Sequence, residues 1–328
     1  MTFSVVIPIY NGAATLEASL ASLASQSFTD WEAVVVDDGS TDATTELLRT
    51  LSARDPRFRI IRQPNGGVSK ARNRAFAEAK GDWILGLDAD DFLKEGALEQ
   101  VARLVQEQAD CNLLNFPYLE RPWGSAEPPT PVVGPAYRRF GGTTCDGREA
   151  FRILYGDCET GGINWQPWRF AFRRDSLPCY REGVIHEDVD VTPVFVARQR
   201  KVHLASEPFY IYTPAREGAA TAVFSPKRVR DIQDVMRHIE GDLNEMAPVL
   251  DPVAVRHFRG LLAYNLFGYL LAIPSFPKAE QDSLFAEFER HAEWFTAIEA
   301  PRRTAWLKRL FVRVFGVRRT AGLFGGKS

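Results

Sequence analysis

Leu85-Gly86-Leu87-Asp88-Ala89-Asp90-Asp91-Phe92 is the stretch around which the chain is organised. It opens apolar, as the end of a buried strand does, and then sets three carboxylates within four residues. A buried carboxylate without a partner costs several kcal/mol or more, so these acids belong at an edge where something meets them. At a strand end, side chains alternate with period two, which puts Asp88 and Asp90 on one side. Two oxygen donors on one side suit a hard divalent cation such as Mg²⁺ or Mn²⁺. A solvated acidic turn has the same composition, and the flanking sequence decides between them.

Upstream, strand and helix alternate. Residues 3–9 are a near-continuous β-branched run, the pattern of a strand buried on both faces. Asn11-Gly12 breaks it, and Leu16, Leu20 and Leu23 then recur at helical spacing. Residues 31–36 form a second buried strand that ends in Asp37-Asp38-Gly39-Ser40-Thr41-Asp42. Helix is expected over 43–53 and 69–79, strand over 57–62 and 82–87, and a turn at Gln63-Pro64-Asn65-Gly66-Gly67. Gly81 reads as a left-handed helix cap. Such alternation predicts an α/β fold, a mostly parallel sheet flanked by helices. In these sheets ligands bind beyond the carboxyl ends of the strands. The polar clusters after strands one, two and four all fall on that edge.

Further on, a helix is expected over 94–108, a strand over 111–119, a long loop over 121–135 and a helix over 146–155. Residues 164–174 are rich in aromatic residues and arginine. A helix over 187–198 opens with two acids, and short strands follow at 202–204 and 209–212. From Pro226 the chain reads as helical, over 226–246, 252–273 and 278–297. Two regions are therefore expected, a sheet domain over 1–222 and a helical extension over 223–328.

The chain has 328 residues, 45% hydrophobic and 25% charged, with a formal net charge of -2. That balance gives no global attraction to nucleic acid or anionic membrane. Cys111, Cys145, Cys158 and Cys179 include no CxxC pair, and read as reduced, mostly buried thiols of a cytoplasmic protein. The amino terminus runs straight into Phe3 without the basic and apolar regions of a signal peptide. Residues 261–273 are too short an apolar run to span a bilayer.

Four motifs in order, Val6-Ile7-Pro8-Ile9-Tyr10-Asn11, Val36-Asp37-Asp38-Gly39-Ser40-Thr41-Asp42, Gly67-Val68-Ser69-Lys70-Ala71-Arg72-Asn73 and Leu87-Asp88-Ala89-Asp90-Asp91, strongly resemble the family 2 glycosyltransferases with a GT-A (Rossmann-like) fold. The likeness covers about the first 110 residues and continues more loosely to Thr221. It implies that Asp38 accepts from the uracil N3–H, with Pro8 and Tyr10 against the base, although an Asp there also caps helices. It places Asp90 on a Mn²⁺ or Mg²⁺ ion, Asp88 towards the ribose or the metal, and Arg72 near the nucleotide. A solvated helix charge is the other reading of Arg72, and Asp91 reads as the cap of the next helix.

The likeness also assigns Asp188 as the catalytic base, with Glu187 shaping the site beside it. Arg216, Trp165 and His186 are candidate phosphate or acceptor contacts. Trp165 and Trp168 suit sugar stacking and core packing equally. The QxxRW motif of processive members does not follow the acid pair, so a single-addition enzyme is expected.

The implied activity is an inverting, metal-dependent transfer from a nucleoside-diphosphate donor, UDP-linked, to a saccharide or lipid-linked acceptor. Its context would be surface polysaccharide or glycoconjugate biosynthesis. The alternative is a non-catalytic nucleotide-sugar or saccharide binder on the same fold. Residues 302–319 carry seven basic side chains, no acid and an aromatic face. They suit peripheral contact with an anionic membrane at its inner face, or a last helix docked on the protein. No nucleic-acid module accompanies the charge.

Overall fold

A computed structural model of the chain describes residues 2–156, 164–214, 224–296, 312 and 316–323. The first elements are β1 (Phe3–Ile9), α1 (Leu16–Ala24), β2 (Trp31–Asp37), α2 (Thr44–Arg54), β3 (Phe58–Arg62), α3 (Val68–Glu78) and β4 (Trp83–Gly86). β1 pairs in parallel with β2, from Phe3 opposite Trp31 to Ile9 opposite Asp37, and on its other side with β4. β3 adds outside β2. The order β3-β2-β1-β4 puts a topological switch point between β1 and β4. The connections are right for this: a buried β-branched run, an amphipathic helix and a polar turn repeat until the fourth strand returns beside the first.

β4 is followed by β5 (Phe92–Leu93), α4 (Ala97–Glu107), β6 (Leu113–Asn115), β7 (Tyr118–Glu120), β8 (Thr130–Val132), α5 (Pro135–Phe140), β9 (Thr143–Cys145) and α6 (Gly147–Tyr155). Next come β10 (Phe170–Arg173), α7 (Glu187–Ala197), β11 (Val202–Leu204) and β12 (Tyr210–Tyr212). The main sheet has the order β3-β2-β1-β4-β10-β6-β11-β9, and a second sheet has the order β5-β12-β7-β8. β10 runs antiparallel between β4 and β6, which makes the main sheet mostly parallel and not wholly so. The core under the main sheet includes Val5, Ile7, Leu20, Val35, Leu85, Leu98, Val101 and Phe116.

Several local expectations change. The strand expected over 111–119 is two, β6 and β7, which belong to different sheets. Pro117 lies between them and has no N–H for a ladder, and the Phe116 N–H turns to the Arg169 carbonyl at 2.9 Å. The loop expected over 121–135 contains β8. The helix expected from residue 94 starts at Ala97, because Phe92 and Leu93 pair with β12 and the Lys94 N–H donates to the Phe209 carbonyl at 2.9 Å. Gly81 is not a left-handed cap. It lies where a Cβ would come within 2.5 Å of the Ser4 nitrogen, so glycine is required by close approach to β1. Cys111 is buried as expected, whereas Cys145 is half-buried and Cys179 exposed.

The chain divides into two compact units, Met1–Ala150 with Asn164–Arg216, and Phe151–Ile163 with Glu217–Ser328. The second contains the long helices α8 (Pro226–Met246) and α9 (Pro252–Ala272), followed by α10 (Lys278–Arg290) and α11 (Glu293–Thr296). Their starts are locally encoded. Ser225 accepts from the Arg228 N–H, Asp251 accepts from the Val253 and Ala254 N–H groups, and each cap is followed by proline at the first helical position. The helix expected over 278–297 breaks at His291, giving α10 and α11. None of the helices among the described residues is long and apolar enough to cross a membrane. Of the basic stretch 302–319, residues 302–311 and 313–315 lie outside the described residues. Arg318, which is described, pairs with Asp282 at 2.6 Å and Glu289 at 2.8 Å and lies over the Phe285 ring of α10.

Candidate active site

The carboxyl edge of the main sheet is built by three loops. After β1, Asn11 takes a left-handed conformation (φ 50°), and its side-chain oxygen accepts from the Thr41 N–H at 2.8 Å. The Asn11 and Gly12 N–H groups donate to Ser40 Oγ and Thr44 Oγ1, each at 3.0 Å. These bonds leave Tyr10 standing out from the edge, 52% exposed, while Pro8 remains in β1 opposite Val36.

After β2, Asp37 and Asp38 turn different ways. Asp37 accepts from the Ser40 N–H at 2.8 Å and from Thr45 Oγ1 at 2.7 Å. Burial opposes its charge, but these bonds and Arg62 outweigh burial and hold its carboxyl below the ordinary range. Asp38 is buried and accepts from Gln63 Nε2 (2.8 Å), Gly66 N (2.9 Å) and Gly67 N (2.8 Å). It therefore fastens the loop that leads into α3. Three donors leave room for about one more on a carboxylate, which offers roughly four lone-pair positions.

After β4 comes the acidic turn, closed by the Asp91 N–H on the Asp88 carbonyl at 3.0 Å. Asp91 does not cap the next helix, whose cap position is Gly96. Its carboxylate instead accepts from Tyr210 Oη at 2.8 Å and from the Thr213 N–H at 2.7 Å. Burial first, then the Asp88 and Asp90 charges, push Asp91 up to about 8. Asp88 is pushed up to about 6 by burial, with Arg72 opposing and Asp90 and Glu187 adding, although its side chain keeps 37% of its surface open.

Arg72 joins this edge to α7. It projects from α3, one residue before Asn73, whose amide is locked to the Tyr180 backbone by paired bonds of 2.7 and 3.0 Å. Its guanidinium lies 2.8 Å from Glu187 Oε1 and 3.7 Å from Asp88 Oδ1, over the Tyr180 ring. The side chain is only 6% exposed, so it is not a solvated helix charge. Burial works against its charge, but Glu187 and then Asp88 hold the proton above the ordinary arginine value.

α7 begins after His186 in a left-handed conformation (φ 78°), and Arg181 grips Asp190 in the first turn through two bonds of 2.5 and 3.2 Å. Glu187 and Asp188 thus sit at the positive end of a helix, which favours anions. Asp188 accepts from the Val189 N–H at 2.8 Å. Burial, then Glu187, push it up to about 7, against the Val189 bond and Arg72.

At this edge Asp88 feels Arg72, Asp90 and Glu187, and Asp188 feels Glu187 and Arg72, with Asp38 and Tyr10 on the neighbouring loops. His186 supplies the carbonyl that receives the Asp190 N–H. Trp165 is buried. Trp168 is buried too, stacked on Tyr210 at 4.5 Å and on Tyr212 at 5.4 Å. Arg216 lies outside the described residues. Tyr210, Thr213 and Tyr180 were missed in the sequence. The third acid, Asp91, was the available signal, since a buried carboxylate demands a donor from elsewhere in the chain.

A divalent cation fits part of this edge. Asp88 and Asp90 are hard oxygen donors; burial first, and then the Asp90 charge, raise Asp88 against the pull of Arg72, and a cation would relieve both. Asp91 is spent on Tyr210 and Thr213. Among the described residues no three acidic, histidine or cysteine side chains gather around a metal position, so two carboxylates need oxygens from a ligand to complete six-fold coordination.

An open sheet with a switch point, an exposed aromatic on the first loop and an acidic turn on the fourth defines the GT-A class of fold. Residues 4–162 match the family described as Glycosyl transferase family 2, and it is this segment of the chain that carries the family likeness. Its first segment is 37% identical over 115 residues to Glycosyltransferase GlyG of Streptococcus pneumoniae serotype 4, covering 34% of this chain and 38% of that protein. It is 42% identical over 96 residues to the chondroitin synthase of Pasteurella multocida, covering 29% of this chain and 10% of that protein. The matches thus span well under half the length of these relatives. Among solved structures, S. aureus TarS 1-349 in complex with UDP-GlcNAc superposes with a TM-score of 0.64 at 20% identity, over 98% of this chain and 90% of that one. A mannosyltransferase from Pyrobaculum calidifontis in complex with GDP-Man and Mn²⁺ gives a TM-score of 0.54 at 16% identity, over 98% and 86%. At these identities the likeness is one of fold.

Proposed function

We propose that the chain is an inverting glycosyltransferase that moves one sugar from a UDP-linked donor to a saccharide or lipid-linked saccharide acceptor in surface polysaccharide or glycoconjugate assembly. The observation that carries this reading is buried Arg72, which ties the acidic turn after β4 to the Glu187-Asp188 pair. One guanidinium thereby links Asp88 of that turn to Glu187, the neighbour of the proposed base Asp188. The UDP-GlcNAc complex of the TarS fold relative favours a uridine donor.

In this reading the base lies against Tyr10, and Asp38 uses its remaining lone pair on the uracil N3–H. Asp90, with Asp88, would hold Mn²⁺ or Mg²⁺ alongside the diphosphate, and the ion would supply charge neutralisation for the leaving group. Asp188 takes the proton from the acceptor hydroxyl as its oxygen bonds to the anomeric carbon. The bond from that carbon to the diphosphate oxygen breaks on the opposite face, and UDP leaves with the electron pair. A base raised to about 7 is matched to this task near neutrality. Glu187 holds Arg72 and keeps the first turn of α7 in place.

The test is calorimetric titration of UDP, GDP and dTDP, each with Mn²⁺ and with EDTA, on the wild type and Asp90→Ala. UDP binding that requires both the metal and Asp90 is expected. Binding of no nucleotide, or UDP binding indifferent to metal and to Asp90, would overturn the reading.

A further inference from the structure

The acidic turn is gripped at both ends by one hydroxyl from a distant strand. Tyr210 Oη, on β12, accepts from the Asp88 N–H at 3.0 Å and donates to Asp91 Oδ2 at 2.8 Å. The other Asp91 oxygen accepts from the Thr213 N–H at 2.7 Å, three residues further along. Within the turn, the Asp91 N–H closes on the Asp88 carbonyl at 3.0 Å. Ser19 Oγ of α1 donates to the same carbonyl at 3.4 Å. Tyr210 is itself immobilised, because its ring is fully buried and stacks at 4.5 Å and 9° on Trp168. The conformation of Asp88-Ala89-Asp90-Asp91 is therefore imposed from β12, about 120 residues away in sequence.

Resting on the glycosyltransferase reading above, we propose that Tyr210 and Asp91 are positioning residues that set the Asp88 and Asp90 carboxylates for the cation and the donor diphosphate. Neither reaches the ligand. Asp91 has both oxygens turned inward, and Tyr210 lies beneath the turn with its hydroxyl occupied on both sides. What they hold is the backbone between the two carboxylates. A site that must meet a cation with part of its coordination shell depends on how rigidly those few oxygens are presented. Trp168, a candidate for sugar stacking in the sequence, is the floor that keeps Tyr210 in place.

Three variants separate positioning from mere structural support, with UDP titrated calorimetrically in Mn²⁺ and in EDTA and the unfolding midpoint measured on the same samples. Tyr210→Phe keeps the ring and its stack on Trp168 and removes only the hydroxyl. It is expected to weaken Mn²⁺-dependent UDP binding at least about tenfold, the usual effect of losing an outer-shell partner, with EDTA as the metal-free baseline. Asp91→Ala should behave alike. Asp91→Asn keeps an oxygen for the Thr213 N–H, and its NH2 can donate to Tyr210 Oη in place of accepting from it, so it should stay within about threefold of the wild type.

A Tyr210→Phe protein with wild-type metal-dependent affinity, whatever its unfolding midpoint, overturns the inference. Equal losses in Asp91→Asn and Asp91→Ala also overturn it, since keeping the polar contacts to Thr213 and Tyr210 would then make no difference. Should Tyr210→Phe not fold, the two Asp91 variants decide. A wild type that binds no UDP removes the donor-site reading and this inference with it.

Discussion

Replacing Arg72 by methionine tests the centre of the site. The guanidinium and the Glu187 carboxylate are 2.8 Å apart with only 6% and 11% of their side chains exposed. Methionine fills much of the volume but leaves Glu187 inside without a cation. Breaking a buried pair by removing one partner costs about 3–5 kcal/mol, because the remaining charge is uncompensated. For a folding unit of this size, each kcal/mol lowers the midpoint by roughly 2–4 °C. Arg72→Met should therefore melt roughly 6–20 °C below the wild type.

The double variant Arg72→Met/Glu187→Leu removes both charges and should recover most of that loss, since apolar replacement of a whole buried pair is close to neutral. Urea unfolding of the wild type, both single variants and the double, followed through the seven tryptophans, gives the coupling energy. A single variant that loses less than about 1 kcal/mol, in the range of an exposed pair, would refute the reasoning. So would a double variant no more stable than Arg72→Met.

Asp188, raised to about 7, should give a transfer rate that falls as pH drops below neutrality, because only the deprotonated carboxylate accepts the acceptor's proton. Asp188→Asn should abolish transfer at every pH and leave UDP affinity within about threefold; loss of UDP affinity would contradict the base role. Tyr10→Ala should weaken UDP binding roughly tenfold, since stacking of a base on an aromatic ring contributes about 1–3 kcal/mol. Tyr10 is an exposed edge residue, so its unfolding midpoint should not move. A shifted midpoint with unchanged UDP affinity would make it a packing residue.

The first half of the fold was legible because its signals are local. Apolar runs rich in β-branched residues, helical leucine spacing and Asn-Gly or Asp-Gly breaks each act over one element, and β1 to β3 follow them, with the apolar run before Asp88 marking β4. The acids at the strand ends were legible for the same reason. What escaped the sequence depends on long-range pairing. Nothing near Arg72 announces that Glu187 lies 115 residues on, and nothing near Asp91 points to Tyr210. Phe170–Arg173 gave an aromatic and basic composition with no clean alternation, yet it is a central strand of the main sheet. Trp168 illustrates the limit of composition: a tryptophan suits a sugar face or a core equally, and only its stack on Tyr210 decides.

The position of β10 has a consequence for synthesis of the chain. β1 to β4 are complete once Gly86 has emerged, but the strand that covers the outer edge of β4 is Phe170–Arg173. At about 5–20 residues per second, the ribosome takes on the order of 5–15 seconds to supply it. For that interval the nascent sheet presents an open hydrogen-bonding edge, the kind of surface on which chains associate. β10 must then be admitted between β4 and β6, so the sheet closes from its middle and not by addition at its rim. A fragment ending near residue 110 would keep the four family motifs and still carry that edge unpaired, and aggregation is its expected behaviour.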